Sequence, residues 1–215
     1  MSAFIREPIN GLTHLFGAVL SFIGLLAMVI KVSTTSAAPL SITAVIIFGV
    51  SMILLYSASA TYHMVIAREH VIAFLRRIDH SMIFVLIAGT YTPFCLISMN
   101  GAAGWILFII IHSLAIIGLL YKLIWFQMPR WVSTVLYISM GWLVVFFISP
   151  LSEVLSLNGM ILLISGGVLY TIGGIIYGAK PKFLEFKHLG FHEIFHIFIL
   201  LGSLCHFLCV FFYVL

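Results

Sequence analysis

The amino-acid sequence predicts an all-α integral membrane protein: a seven-transmembrane helix bundle, its N-terminus cytoplasmic and its C-terminus outside. Three observations carry this expectation. The first is composition. Of 215 residues, 63% are hydrophobic and only 7% charged, and mean hydropathy is +1.27. No soluble domain of this size has interior enough to hide that much apolar surface. The second is patterning. Apolar stretches of about 18 residues or more read as membrane spans. Seven are present, at 15–33, 40–62, 79–98, 104–121, 131–149, 158–178 and 191–214. So little lies between them that residues 1–215 read as a single domain with short loops. The third is charge. With a cytoplasmic N-terminus, the inside segments hold Arg6, Arg68, Arg76, Arg77, Lys122, Arg130, Lys180, Lys182 and Lys187. The outside segments hold only Lys31, at a helix end. This bias toward the inside sets the orientation. The net charge of +4 is thereby a topology signal, and no nucleic-acid partner is expected.

Each element has its own features. Residues 1–14 form a polar lead-in in which Glu7, Asn10 and His14 recur at helical spacing. They could line one face of a short helix entering the first span, or simply cap and snorkel at the interface. The first span resembles a signal peptide in that Ser36–Ala38 could serve as a cleavage site. It is longer than a usual apolar signal region, and Lys31 intervenes, so an uncleaved anchor is expected. In the third span, Gly89-Thr90-Tyr91-Thr92-Pro93 predicts a kink, because proline frees a backbone carbonyl that threonine hydroxyls can satisfy. The sixth span carries Gly166, Gly167, Gly173, Gly174 and Gly178, a pattern for close helix approach, either within the chain or at an oligomer seam. Cys95, Cys205 and Cys209 all lie inside spans and form no disulfide framework. Cys205 and Cys209 could join His206 at a metal, but they read better as small apolar residues.

The seventh span opens with the sequence His192-Glu193-Ile194-Phe195-His196. On a helix His192 and His196 share a face and can ligate one ion. Ionisable groups inside membrane helices are costly, which makes them functional candidates. Topology brings more residues to the same depth. The second span ends inside at His63, with Ser59 one turn deeper on the same face, and the third begins inside near Asp79 and His80. Three helices thus deliver His63, Asp79, His192 and His196 to one leaflet. Three neutral imidazoles and an open position suit a catalytic zinc ion, Zn2+, which lowers the pKa of a coordinated water to about 7. Asp79 could hold that water and act as base. Ser59 could bond the water, the carboxylate or a substrate carbonyl. The His-Glu-x-x-His string also matches the zincin pattern, but Glu193 sits about 100° around the helix from His192. His206, about 21 Å along the span, is too far away for the same ion. His206 and His112 are expected to hydrogen-bond another helix, His70 and His188 lie in loops, and His80 points about 100° away from Asp79, so that it could at most support a ligand.

Glu7, Asn10, Thr13-His14, Ser59-x-x-x-His63, Asp79-His80, the run from Ala88 to Phe94 and Phe191 to His196 occur in an order that resembles the bacterial hemolysin III family. That family is the prokaryotic branch of the progestin and adiponectin receptor (PAQR) superfamily, and the resemblance covers essentially the whole chain. It implies a seven-helix bundle with zinc near the inner leaflet, held by His63, His192 and His196 and flanked by Asp79 and Ser59. Similarity of the wider superfamily to alkaline ceramidases implies hydrolysis of a lipid amide or ester.

Three functions follow as expectations. The first is a zinc-dependent amidohydrolase or esterase of the cell membrane of a bacterium, with a membrane lipid as substrate. The second is a non-enzymatic membrane protein, whether a sensor, an ion or proton conduit or a cytolytic pore, with structural zinc. In it, His14, His80, His112 and His206 could form part of a polar path. The third is an intramembrane protease that depends on Glu193. No protein partner is identifiable from the sequence.

Overall fold

A computed structural model describes residues 4–124, 129–186 and 189–215. Lys187 and His188, which the sequence reading assigned to a loop, lie outside the described residues. The described chain is almost wholly helical. The spans are α1 (Pro8–Thr35), α2 (Pro39–Met64), α3 (Glu69–Pro93), α4 (Ala102–Ile124), α5 with α6 (Arg130–Gly141 and Ile148–Val154), α7 (Leu157–Ala179) and α8 (Phe191–Cys209). Among the described residues, seven segments are long and apolar enough to cross a membrane, as expected. Large apolar side chains such as Ile30, Ile109, Ile117, Phe146 and Leu157 face outward, as lipid-facing positions of a bundle do.

The boundaries differ from the apolar runs for identifiable reasons. Helix α1 begins at Pro8 rather than near residue 15. A proline tolerates the first helical position because its missing N–H would be unbonded there anyway. Asn10 and His14 are therefore helical and buried. Helix α3 begins at Glu69, ten residues before the apolar run, so Asp79 sits well inside it. Pro93 ends the α-helical pattern of α3, and the chain continues as a π-helical turn over Phe94–Ser98. Met99 N–H then bonds the Phe94 carbonyl at 3.0 Å, while Thr92 Oγ1 donates to the Ala88 carbonyl at 2.9 Å. The fifth span is broken by a 3₁₀ turn over Trp142–Phe147. Tyr91 stabilises this break, donating to the Gly141 carbonyl at 2.6 Å and accepting from the Val144 N–H at 2.9 Å.

Helix α3 is the most enclosed span, with α2 on one side and α4 on another. Helix α1 packs on both α2 and α8, and α7 packs on α8 and α5. The glycines of α7 explain the last two contacts. A Cβ on Gly166 would stand 2.6 Å from His206 Nε2, and one on Gly173 would stand 2.9 Å from Phe198 Cβ. Gly174 and Gly178 face Ile138 and Thr134 of α5. Both glycine faces thus serve contacts within the chain. The cysteines are unpaired, and Cys209 donates to the Gly159 carbonyl at 3.2 Å.

Candidate metal centre

Two helices, α2 and α8, bring three histidines together at one end of the bundle. His63 occupies the last turn of α2, while His192 and His196 occupy the first two turns of α8. Each offers a ring nitrogen, and these nitrogens all lie within 4.8 Å of one another. This group could hold a metal ion. His63 Nε2 and His192 Nε2 stand 3.3 Å apart. Two nitrogens bound at about 2.0–2.1 Å to a tetrahedral zinc would stand about 3.3–3.4 Å apart. The spacing of this one pair is one that a tetrahedral ion could bridge. His63 and His196 are almost completely buried.

The local sequence explains why α8 starts where it does. Glu193, three residues past Gly190, accepts the Gly190 N–H through Oε2 at 2.8 Å, satisfying one of the unpaired donors of a helix start. Its other oxygen accepts from Asn10 Nδ2 at 2.8 Å. Both oxygens of Glu193 are thus engaged with the helix start and with α1, and the group of possible ligands does not include it.

Asp79 and Ser59 lie beside the histidines, on α3 and α2. Both are buried, and the Ser59 hydroxyl is the hydrogen-bonding partner of the Asp79 carboxyl. Asp79, Ser59, His192 and His196 line one cavity of about 360 Å³, whose walls run on through Leu86, Phe94 and Leu107. A second, largely open pocket of about 370 Å³, lined by Glu7, Asn10, Tyr62, Arg130 and Glu193, reaches His63 and His192. His192 lines both, and so stands between an apolar chamber and a pocket lined by polar side chains.

Residues left open by the sequence now have definite places. The ring of His14 stacks on that of His196, with centroids 3.6 Å apart and planes at 10°, and meets Tyr56 edge-on at 5.1 Å. His80 is not among the possible ligands, and has Nε2 on the Tyr177 hydroxyl at 2.7 Å and Nδ1 on the Arg76 carbonyl at 2.7 Å. His112 bonds the Phe108 carbonyl of its own helix at 2.9 Å and, as expected, meets a second helix, its Nε2 lying 3.4 Å from the Thr92 hydroxyl of α3. His206 lies far along α8, in contact with Tyr170. Glu7 is the residue whose position spacing could not assign. Its Oε2 accepts from His63 Nδ1 at 2.5 Å. Burial works to raise the Glu7 pKa, but the His63 hydrogen bond and the charges of His63 and Arg6 outweigh it and hold the carboxyl below its ordinary range.

Comparison with known proteins agrees with this architecture. The family model described as "Haemolysin-III related" matches residues 2–207. The chain is 42% identical to "Hemolysin-3" of Bacillus cereus, over 100% of this chain and 95% of that one. It is 41% identical to "Hemolysin-3 homolog" of Bacillus subtilis (strain 168), over 97% of this chain and 95% of that one. With its seven apolar spans and these bacterial relatives, the chain is a multi-pass membrane protein that belongs to the haemolysin-III-related family.

Proposed function

We propose that this protein is a zinc-dependent hydrolase of lipid amide or ester bonds, acting at the inner leaflet. The observation that carries this reading is the convergence of three imidazole nitrogens within 4.8 Å beside a buried carboxyl that faces an apolar chamber. His63, His192 and His196 would hold the zinc. When bound, zinc supplies a Lewis acid that acidifies water and polarises a carbonyl. Asp79 takes the proton from the attacking water and returns it to the leaving group, the work of a general base and acid. Ser59 would orient the water or stabilise the developing oxyanion, its single hydroxyl proton serving one partner at a time. The chamber of about 360 Å³ falls in the range of small-molecule sites. Its apolar walls suit an acyl chain and exclude water. The polar pocket suits the rest of the lipid and admits water.

The test is a screen of purified, zinc-loaded protein against acyl-amide and ester lipids in micelles. Metal-dependent release of fatty acid supports the reading, and its absence across both classes counts against it. The relatives' name carries a second reading, cytolysis with zinc in a structural role. That reading requires dye release from liposomes at catalytically silent sites. The Glu193 contacts oppose the protease reading, because both carboxylate oxygens are committed to Gly190 and Asn10.

A further inference from the structure

The chemistry of His63 depends on which of its nitrogens carries the proton. A histidine ligand with a carboxylate on its other nitrogen is fixed in tautomer and ring orientation, and is more basic. Glu7 stands in that position, with Oε2 2.5 Å from His63 Nδ1. The carboxylate accepts, so Nδ1 donates, and the lone pair of Nε2 faces His192.

The backbone explains how a residue outside the helices reaches this place. The last carbonyls of a helix have no partner within it. At the end of α2 those of Tyr62, His63 and Met64 are taken by the lead-in. Arg6 Nη2 donates to Tyr62 O at 2.6 Å. Glu7 N–H donates to His63 O at 2.9 Å, and Arg6 N–H to Met64 O at 3.4 Å. The Arg6 guanidinium also lies 4.4 Å from the centre of the Tyr62 ring. The lead-in thus caps the very turn that carries His63. One turn into α1, Asn10 Nδ2 bridges Glu7 Oε2 at 3.4 Å and Glu193 Oε1 at 2.8 Å. Through Asn10, the carboxylate on the α2 ligand is tied to the start of the helix that carries the other two.

We infer that Glu7 is a positioning residue of the metal centre: its carboxylate orients His63 and raises zinc affinity, and the lead-in from Arg6 to Asn10 is the strap that holds it there. This inference rests on the metal-site reading above. It assigns a role at the ion to the lead-in, where spacing alone also allowed simple interfacial capping.

Zinc affinity of the full chain, measured by competition with a chelator, tests it. Glu7→Ala should bind zinc about 10–100-fold more weakly than wild type, the usual effect of losing such a carboxylate. Glu7→Gln, which keeps the shape and an acceptor oxygen but loses the charge, should fall between the two. Arg6→Ala loosens the same strap without removing the carboxylate and should weaken zinc binding distinctly less than Glu7→Ala does. Cobalt-substituted protein gives a second readout, since its visible absorption follows ligand geometry. Glu7→Ala should shift that spectrum, and Arg6→Ala should shift it less. Unchanged affinity and spectrum in Glu7→Ala would overturn the inference while leaving the metal site intact. An equal loss in Arg6→Ala would reduce Glu7 to a structural strap and also overturn it. Wild-type protein that binds no zinc would remove the inference together with the metal-site reading.

Discussion

Replacing Asp79 with alanine should separate metal binding from turnover. The carboxyl is not one of the groups whose ligand atoms converge within 4.8 Å among the described residues. Zinc should therefore stay bound at one ion per chain in Asp79→Ala. Turnover should not survive. A positioned general acid–base contributes about 10²–10⁴-fold in rate. At about 1.36 kcal/mol per decade, that is about 3–5 kcal/mol of barrier. The effect on folding should be smaller. Ser59 loses its partner in the buried site, a cost of about 1–3 kcal/mol. Against this, a carboxyl no longer has to be desolvated. The assay is single-substrate fatty-acid release, run beside zinc analysis of the same preparation. Wild-type turnover in Asp79→Ala would refute the catalytic role. Loss of zinc together with turnover would instead make Asp79 a ligand and refute the division of labour drawn here.

Other perturbations test neighbouring parts of the account. Glu193→Gln should keep both zinc and turnover, since the carboxylate serves Gly190 and Asn10; a protease base would make this variant inactive. Gly167→Leu should cost little stability but shorten the acyl chains accepted, because a Cβ there has its nearest neighbour at 3.9 Å and the residue lines the apolar chamber. Activity against a chain-length series checks it, and an unchanged profile would place the chain elsewhere. Gly104→Ala should destabilise by about 1–3 kcal/mol, because the added Cβ would clash with the Cys95 carbonyl oxygen, a backbone atom that cannot swing aside. Gly141→Ala, with nothing within 4 Å of its Cβ, should be neutral or slightly stabilising in the same thermal unfolding assay.

The sequence made the fold legible because lipid leaves few alternatives. A chain this apolar must satisfy its backbone internally, so long apolar runs become helices. The residues of the candidate centre were legible for a related reason. Polar groups at the ends of three apolar runs are conspicuous, and alternating topology puts His63, Asp79, His192 and His196 at one depth. Helix starts were less visible. Hydropathy marks where side chains turn apolar, whereas α1 begins at Pro8 and α3 at Glu69 for backbone reasons. That difference hid the place of His14, which stacks on His196 rather than anchoring at an interface. Glu7 was hidden for another reason. Its bond to His63 joins residues 56 apart in the chain, and helical spacing reports only neighbours on the same helix. The one signal was the recurrence of Glu7, Asn10 and His14, which marked a face without saying what it met. The glycines of α7 pointed to close approach but not to which partner. The contacts with α5 and α8 supplied that answer.

The central claim is that α2 and α8 share one zinc ion. Elemental analysis of purified wild-type protein beside His63→Ala and His196→Ala tests it most directly. The expected result is about one zinc per chain in wild type and none retained in either variant, since three ligands cannot become two without opening the site. Wild-type protein that stays metal-free after zinc is supplied, or a His63→Ala variant that keeps its full complement, would contradict the claim.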